Sequence, residues 1–358
     1  MNLNDLSHRL FQVMPIEQWQ CQRIVLAVSG GADSVALLRL VQQSVGISQN
    51  LLVAHFNHGW RDAESDADQQ FVESLTQSLG VACATERAVC TTESRSEQTA
   101  RNRRYAFLQR VAAEHQANFI ATAHTASDRV ETMLHNLCRG TGLSGMCSLA
   151  ETRKLVSGVT LIRPLWHCYR EEILGYLREL GQVYREDSSN SNEHYRRNFL
   201  RHSVLPLLRK TYGEGVDKRL VSFSELAEET VQLQHQQCLE YGTQVASLIS
   251  QAILAGRLFE PSSEQLFLPC RQLLPHPWPI VLNFVQQGWQ ERGWSRQAMG
   301  RKHWERLRQA WQRVAVPKRP KRTLRPKSLF QLPGCIDIAS CNGWITLASG
   351  SNGNSKAG

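Results

Sequence analysis

The ten cysteines include no CxxC pair, and the two that lie nearest in sequence are Cys335 and Cys341. This absence excludes a zinc ribbon and a redox dithiol. The chain also lacks an apolar run near the roughly 20 residues that a membrane span needs. Its first residues, MNLNDLSHRLFQVMP, have no basic start, long apolar stretch or small-residue cleavage site. They predict a short amphipathic helix instead of a signal peptide, so we expect a cytoplasmic protein with no membrane partner.

Acidic residues are almost missing from the segment 295–327, which has twelve Lys or Arg and a single acid, Glu305. The formal charge of the whole chain is +9, so the remainder is close to neutral. A local basic block indicates a phosphate-rich partner such as RNA, although a solvated face or a tether would have the same composition. Residues 318–327 are interrupted by prolines and predict an extended basic arm.

The chain of 358 residues is long enough for two or three domains. Short β-branched runs alternate with helical patterns up to about residue 215, which predicts an α/β fold with a Rossmann-like parallel sheet. A polar, helical region follows. We therefore divide the chain into an α/β domain at 1–215, a smaller helical and basic domain at 216–327, and a short C-terminal segment at 328–358 with a disordered tail.

A phosphate-binding loop directly follows the first predicted strand, IVLAV. It consists of Ser29, Gly30, Gly31, Ala32, Asp33 and Ser34. The glycines allow backbone N–H groups to approach an anion, and the helix that follows points its N-terminus at the same place. Asp33 beside a phosphate requires a cation between them, which predicts Mg²⁺. The loop lacks the GK[ST] ending of a Walker A motif and the GxGxxG spacing of a dinucleotide fold.

The SGGADS loop resembles the signature of PP-loop ATP pyrophosphatases, whose fold is called adenine nucleotide alpha hydrolase-like. Further motifs follow in order. They are HFNHGWR at 55–61, Glu97 with Arg101 and Arg104, HTASDRVET at 124–132, RGTG at 139–142, RPL at 163–165, EDSSN at 186–190 and RNFLR at 197–201. Over residues 20–215 this set resembles the tRNA(Ile)-lysidine synthase family. One position departs from the family pattern, because Ser127 replaces the first of two adjacent acids.

The resemblance implies ATP and Mg²⁺ as cofactors and two partners, free L-lysine and the isoleucine tRNA with a CAU anticodon. The wobble cytidine would be adenylated in the ATP-binding catalytic domain at 1–215 and then attacked by lysine, and the helical domain at 216–327 would bind the tRNA. The residues implied for catalysis or lysine binding are His124, Asp128, Glu131, Arg197 and Arg201. Those predicted to contact tRNA are Arg61, Arg101, Arg104, Lys318, Arg319, Lys321 and Arg322.

Two alternatives remain open at this point. One is a PP-loop enzyme that acts on a different RNA base or on a small molecule. The other is a basic RNA-binding protein that keeps the ATP fold without catalysis. The oligomeric state is also open, with a homodimer among the states allowed.

Overall fold

The computed structural model divides the chain into two compact units, Met1–Glu228 and Glu229–Gly358. The boundary lies inside one long helix, α11 (Val216–Leu254). The residues described are 3–46, 50–60, 63–88, 97–147, 150–155, 158–186, 196–260, 262–270, 276–314 and 326–350.

The first unit alternates strands and helices over most of its length. Its strands are β1 (Ile24–Ala27), β2 (Leu51–Asn57), β3 (Ala82–Arg87), β4 (Phe119–Thr122), β5 (Thr152–Lys154) and β6 (Thr160–Ile162). Its helices are α1 (Leu3–Val13), α2 (Ile16–Cys21), α3 (Ala32–Val45), α4 (Ala63–Leu79), α5 (Glu97–Glu114), α6 (Ala126–Cys138), α7 (Leu143–Met146), α8 (Arg170–Glu179), α9 (Arg196–Phe199), α10 (Leu205–Tyr212) and the start of α11. A π-helical turn, Leu200–Val204, joins α9 to α10.

The described strands of this unit form one sheet in the order β3-β2-β1-β4-β6-β5. All neighbours are parallel except β5, which runs antiparallel to β6. The chain adds strands on one side of β1 and then crosses to β4 on its other side. The strand order therefore reverses between β1 and β4, and the crevice beyond their carboxyl ends is where ligands bind in such folds. The α/β prediction is confirmed.

Burial on both faces explains why β1 and β2 are almost wholly apolar. Every residue of β2 is buried, and α3 presents an almost continuous buried face to the same core. Parallel strands covered by helices on both sides have this composition. The core fixes the ends of β1 and α3, and hence the loop between them.

The second unit combines helices with a sheet that the sequence interpretation did not foresee. Its elements after α11 are β7 (Gln265–Pro269), α12 (Trp278–Glu291), α13 (Arg301–Arg313), β8 (Lys327–Leu332), β9 (Ile336–Cys341) and β10 (Trp344–Ser349). The four strands pair antiparallel in the order β7-β10-β9-β8. The three strands within residues 327–349 thus share a sheet with β7.

The apolar stripe of α13 packs into the core of the second unit. Leu307 and Trp311 are buried there, and Trp304 and Val314 pack against the same cluster. Among the residues that the structure describes, no helix is both long enough and apolar enough to cross a bilayer.

Candidate active site

The phosphate loop lies between the end of β1 and the start of α3. Gly30 has φ +94°, a left-handed conformation that favours glycine, and a Cβ there would lie 3.4 Å from Val72 Cγ2. The Ser34 hydroxyl donates to Gly31 O at 2.9 Å and accepts from Ser29 N at 3.1 Å. Ser34 therefore closes the loop on itself. Gly31, at the N-cap of α3, has no side chain to cover the first N–H groups of the helix.

Asp33 in this loop is paired with an arginine that sequence reasoning did not select. Arg170 Nη1, from the first residue of α8, donates to Asp33 Oδ2 at 2.6 Å. Burial raises the pKa of Asp33 to about 6, although the neighbouring Arg170 opposes the rise. The other oxygen, Oδ1, is buried and has no hydrogen-bond partner among the described residues.

This orphaned oxygen is compatible with the predicted Mg²⁺. No group of three His, Cys, Asp or Glu that could hold a metal occurs in the part of the chain that the structure describes. Mg²⁺ commonly takes one or two carboxylates and completes its shell with phosphate oxygens and water. Asp33 thus fits a metal that arrives with the nucleotide, and not a metal held by protein side chains alone.

The two acids of the HTASDRVET segment lie at the start of α6, as their position after β4 predicted. Asp128 Oδ2 accepts from Thr125 N at 2.8 Å, and Thr125 Oγ1 accepts from Asp128 N at 3.3 Å, a reciprocal capping box. One turn later, Glu131 is buried and accepts two hydrogen bonds from Arg201, at 2.5 Å and 2.9 Å. Burial raises the pKa of Glu131, and Arg201 opposes this rise. The guanidinium of Arg201 also reaches Asp128 Oδ1 at 3.4 Å.

Ser127 connects α6 to α8. The family resemblance leads one to expect an acid at this position. The Oγ atom of Ser127 accepts a hydrogen bond from Arg170 N at 3.1 Å. The backbone of Arg170 is thereby tied to α6 while its side chain reaches the phosphate loop. The loop and the acid pair thus belong to one connected network of hydrogen bonds.

A cavity of about 310 Å³ lies beside the acid pair. Its walls include His58, Trp60, Ala100, Arg101, Arg104, His124, Asp128, Glu131, Thr132 and Arg197. The Nδ1 atom of His124 is 3.0 Å from Thr122 Oγ1. Burial lowers the pKa of His124 to about 4, so the imidazole is neutral at physiological pH. Burial, aided by Arg104, likewise lowers the pKa of His58 to about 4.

Cations predominate on the α5 side of this cavity. Arg101 and Arg104 lie over the ring of Tyr105, with Cζ 5.2 Å and 5.7 Å from its centroid, and Arg153 lies 5.9 Å from the same ring. Burial, with repulsion from Arg101, lowers the pKa of Arg104. Arginines gathered around one ring form a suitable wall for an anionic ligand.

The structure therefore brings together the phosphate loop, His124, Asp128, Glu131, Arg101, Arg104, Arg197 and Arg201. Arg201 contacts the two acids themselves. Arg61 and the arm residues Lys318, Arg319, Lys321 and Arg322 lie outside the described residues. Arg170 was missed because a basic residue at the start of a helix carries no motif. The only available signal was its place shortly after the RPL segment.

Comparison with known proteins agrees with this geometry. Residues 5–208 match the PP-loop domain family. The tRNA(Ile)-lysidine synthase of Rhodopirellula baltica is 32% identical over 310 residues, which cover 79% of this chain and 78% of that protein. The enzymes of the same name from Bacillus subtilis and Nostoc are 37% and 36% identical, with matches that cover 58% and 59% of this chain. Those matches span 45% of the Bacillus protein and 61% of the Nostoc protein, so the chain covers only about half to three fifths of these relatives.

Among solved structures, the fold is similar to that of the U34-tRNA thiolase NcsA from Methanococcus maripaludis with its [4Fe-4S] cluster. The TM-score is 0.51 at 17% identity, and the match covers 63% of this chain and 79% of the thiolase. At this identity the likeness concerns the fold alone.

Proposed function

This chain belongs to the tRNA(Ile)-lysidine synthase family of PP-loop enzymes, and on that premise we propose that it attaches lysine to C2 of the wobble cytidine in the CAU-anticodon isoleucine tRNA. ATP is consumed through an adenylated tRNA, with release of pyrophosphate and AMP. The observation that carries the proposal is the link from Asp33 through Arg170 and Ser127 to the helix of Asp128 and Glu131. This link supports the proposal, because it connects the loop that would bind phosphates to the two acids that would bind an amine.

In the first step, O2 of the cytidine attacks the α-phosphorus of ATP and pyrophosphate leaves. The N–H groups of the first turn of α3 would donate hydrogen bonds to the phosphate oxygens. They are available because the N-cap glycine, Gly31, has no side chain that could accept these hydrogen bonds. Asp33 would hold Mg²⁺ through its unpaired oxygen, and the ion would supply positive charge to the phosphoryl oxygens. Arg170, which donates to the other carboxyl oxygen of Asp33, would add a second positive charge beside the phosphates.

In the second step, the ε-amine of lysine attacks C2 and AMP leaves with the O2 atom. The amine is protonated near pH 7, since its ordinary pKa is about 10.4, and must first lose a proton. Asp128 and Glu131 form an anionic wall of the cavity that would bind this ammonium group. Glu131 has a raised pKa and a fixed orientation on Arg201, which suits a carboxylate that accepts the proton.

The wobble base must leave its stack to react, and the cavity has groups that would receive it. Trp60 is 43% exposed at the cavity, next to His58, and offers an aromatic surface to a base. Arg101 and Arg104 would face the phosphates that flank the base.

The second unit supplies further positive charge for the tRNA. Lys302, Arg306 and Arg313 lie on one exposed face of α13, and Arg306 is stacked 4.2 Å from the ring centroid of Phe330 on β8. We infer that this face, with the basic arm at 318–322, contacts the tRNA backbone.

The test is incorporation of radiolabelled lysine into transcripts of isoleucine tRNA that carry either a CAU or a UAU anticodon, with and without ATP. We expect ATP-dependent label only in the CAU transcript, and loss of label in Asp128→Asn. Release of pyrophosphate without lysine label would assign the enzyme to another PP-loop reaction. Binding of tRNA without any pyrophosphate release would favour an RNA-binding protein that lacks catalysis.

A further inference from the structure

The helix that carries the acid pair also carries a buried arginine. Arg129 lies between Asp128 and Glu131 in the sequence of α6 and is 2% exposed. Its Cζ lies 4.6 Å from the ring centroid of Trp166. Its Nη1 donates to Glu225 Oε1, on the first part of α11, at 3.1 Å. A buried cation is thus held between an aromatic ring and a carboxylate, one residue from Asp128 and two residues from Glu131.

The net charge around the lysine site sets its attraction for an ammonium group. Glu131 is already paired with Arg201 through two hydrogen bonds, and Arg101, Arg104 and Arg197 line the same cavity, so each further positive charge near the acid pair weakens this attraction. Without Glu225, the buried charge of Arg129 on the same helix would add to this positive charge. A unit charge about 10 Å away changes the binding of a monovalent cation roughly tenfold at an effective dielectric constant of about 20. Glu225 offsets Arg129 and so preserves the attraction for an ammonium group.

We propose that Glu225 is a positioning residue for lysine, which acts through Arg129 and never touches the substrate. It neutralises and orients the buried guanidinium, so that Arg129 does not oppose the attraction of Asp128 and Glu131 for the ε-ammonium group. The inference rests on the proposed function. Glu228, one turn further along α11, is also attracted to Arg129 and compensates in part for the loss of Glu225.

The first test is Glu225→Gln, a change at a side chain that is 44% exposed and tolerates substitution. We expect KM for lysine to rise about 3- to 10-fold. KM for ATP and the rate of pyrophosphate release should stay within about twofold, because the charge acts on the amine site. Glu225→Asp, which keeps the charge, should recover most of the lysine affinity. Glu229→Gln is the matched control, since it makes the same change at an exposed position of the same helix.

The decisive variant combines Glu225→Gln with Arg129→Met, which removes both charges while a thioether replaces the guanidinium on Trp166. We expect KM for lysine to return towards the parent value. If Arg129 and Glu225 only stabilised the fold, the double variant would have a higher KM for lysine than the single variant, because the two losses of packing would add. The inference is overturned if Glu225→Gln leaves KM for lysine unchanged, or if the double variant binds lysine less well than the single one.

If the double variant does not fold, as judged by its thermal transition, the comparison of Glu225→Gln with Glu225→Asp decides the matter. Equal KM values for lysine in these two variants would overturn the inference. A parent enzyme that incorporates no lysine at all would refute the proposed function instead. The two failures are therefore distinguishable.

Discussion

Replacement of Asp33 by asparagine is expected to abolish pyrophosphate release and, at neutral pH, to stabilise the nucleotide-free enzyme. Burial raises the pKa of this carboxyl from its ordinary value of 3.8 to about 6. Between these values the unfolded chain gives up the proton while the folded protein keeps it, so the free energy of unfolding falls as the pH rises. The difference of about two pKa units corresponds to about 3 kcal/mol above pH 6. Asparagine has no proton to lose and escapes this destabilisation.

Thermal unfolding of parent and Asp33→Asn at pH 4.5 and pH 7.5, without nucleotide, measures the effect. At pH 7.5 the variant should melt roughly 6–12 °C higher, since about 1 kcal/mol shifts Tm by about 2–4 °C in a domain of this size. At pH 4.5 the advantage should be much smaller. Asp68→Asn, which also removes a carboxylate paired with an arginine, controls for the loss of an ion pair. An Asp33→Asn protein no more stable than the parent at pH 7.5 would refute the reasoning, as would an advantage that does not grow with pH.

Three further outcomes are expected. Gly30→Ala should lower the free energy of unfolding by about 1–2 kcal/mol in urea titrations, because φ is +94° at this residue. Gly31→Ala, at φ −72°, should lower the free energy of unfolding by less, and equal losses in the two variants would contradict this reasoning. The ring signals of His124 should not titrate between pH 6 and 8 in NMR spectra, since its pKa is about 4, and a midpoint near 6.5 would show that burial does not control it. Neutralising the four basic residues between 318 and 322 should make tRNA affinity less dependent on salt. The slope of log affinity against log salt concentration should fall by up to about 0.9 for each phosphate that the arm no longer neutralises. An unchanged slope would mean that the arm is only a tether.

The first unit was largely predictable because its signals are local. Strands such as Leu51–Asn57 and Phe119–Thr122 are detectable from the sequence, since buried parallel strands are continuous apolar runs bounded by turns. The PP-loop family was predictable for the same reason, because the phosphate loop needs glycines in a fixed order. The sheet of the second unit was not foreseen. Its strands are short and alternate in burial, as Ile336–Cys341 does, and a weak period-two signal does not reveal which strands pair.

The pairings of charged residues were the least predictable part of the site. An arginine in this sequence context is expected on the solvated face of a helix, yet the side chain of Arg129 is buried against the ring of Trp166. Arg201 is seventy residues from Glu131 in the chain, and only the fold brings them together. Sequence spacing predicts contacts within one helix, whereas these pairs join different elements. The roles assigned to these residues stay predictions.

The capping box at the start of α6 has a consequence for how natural variation at this site can be interpreted. Asp128 is both a helix cap and an acid of the cavity, so one side chain is under two selective pressures at once. Asparagine can accept the hydrogen bond from Thr125 N and carries no charge, while alanine satisfies neither demand. A lineage that lost the amine chemistry but kept the fold would therefore drift to asparagine at this position before it reached alanine. Such a homologue would be recognisable as a well-folded relative that has lost the ability to bind the amine.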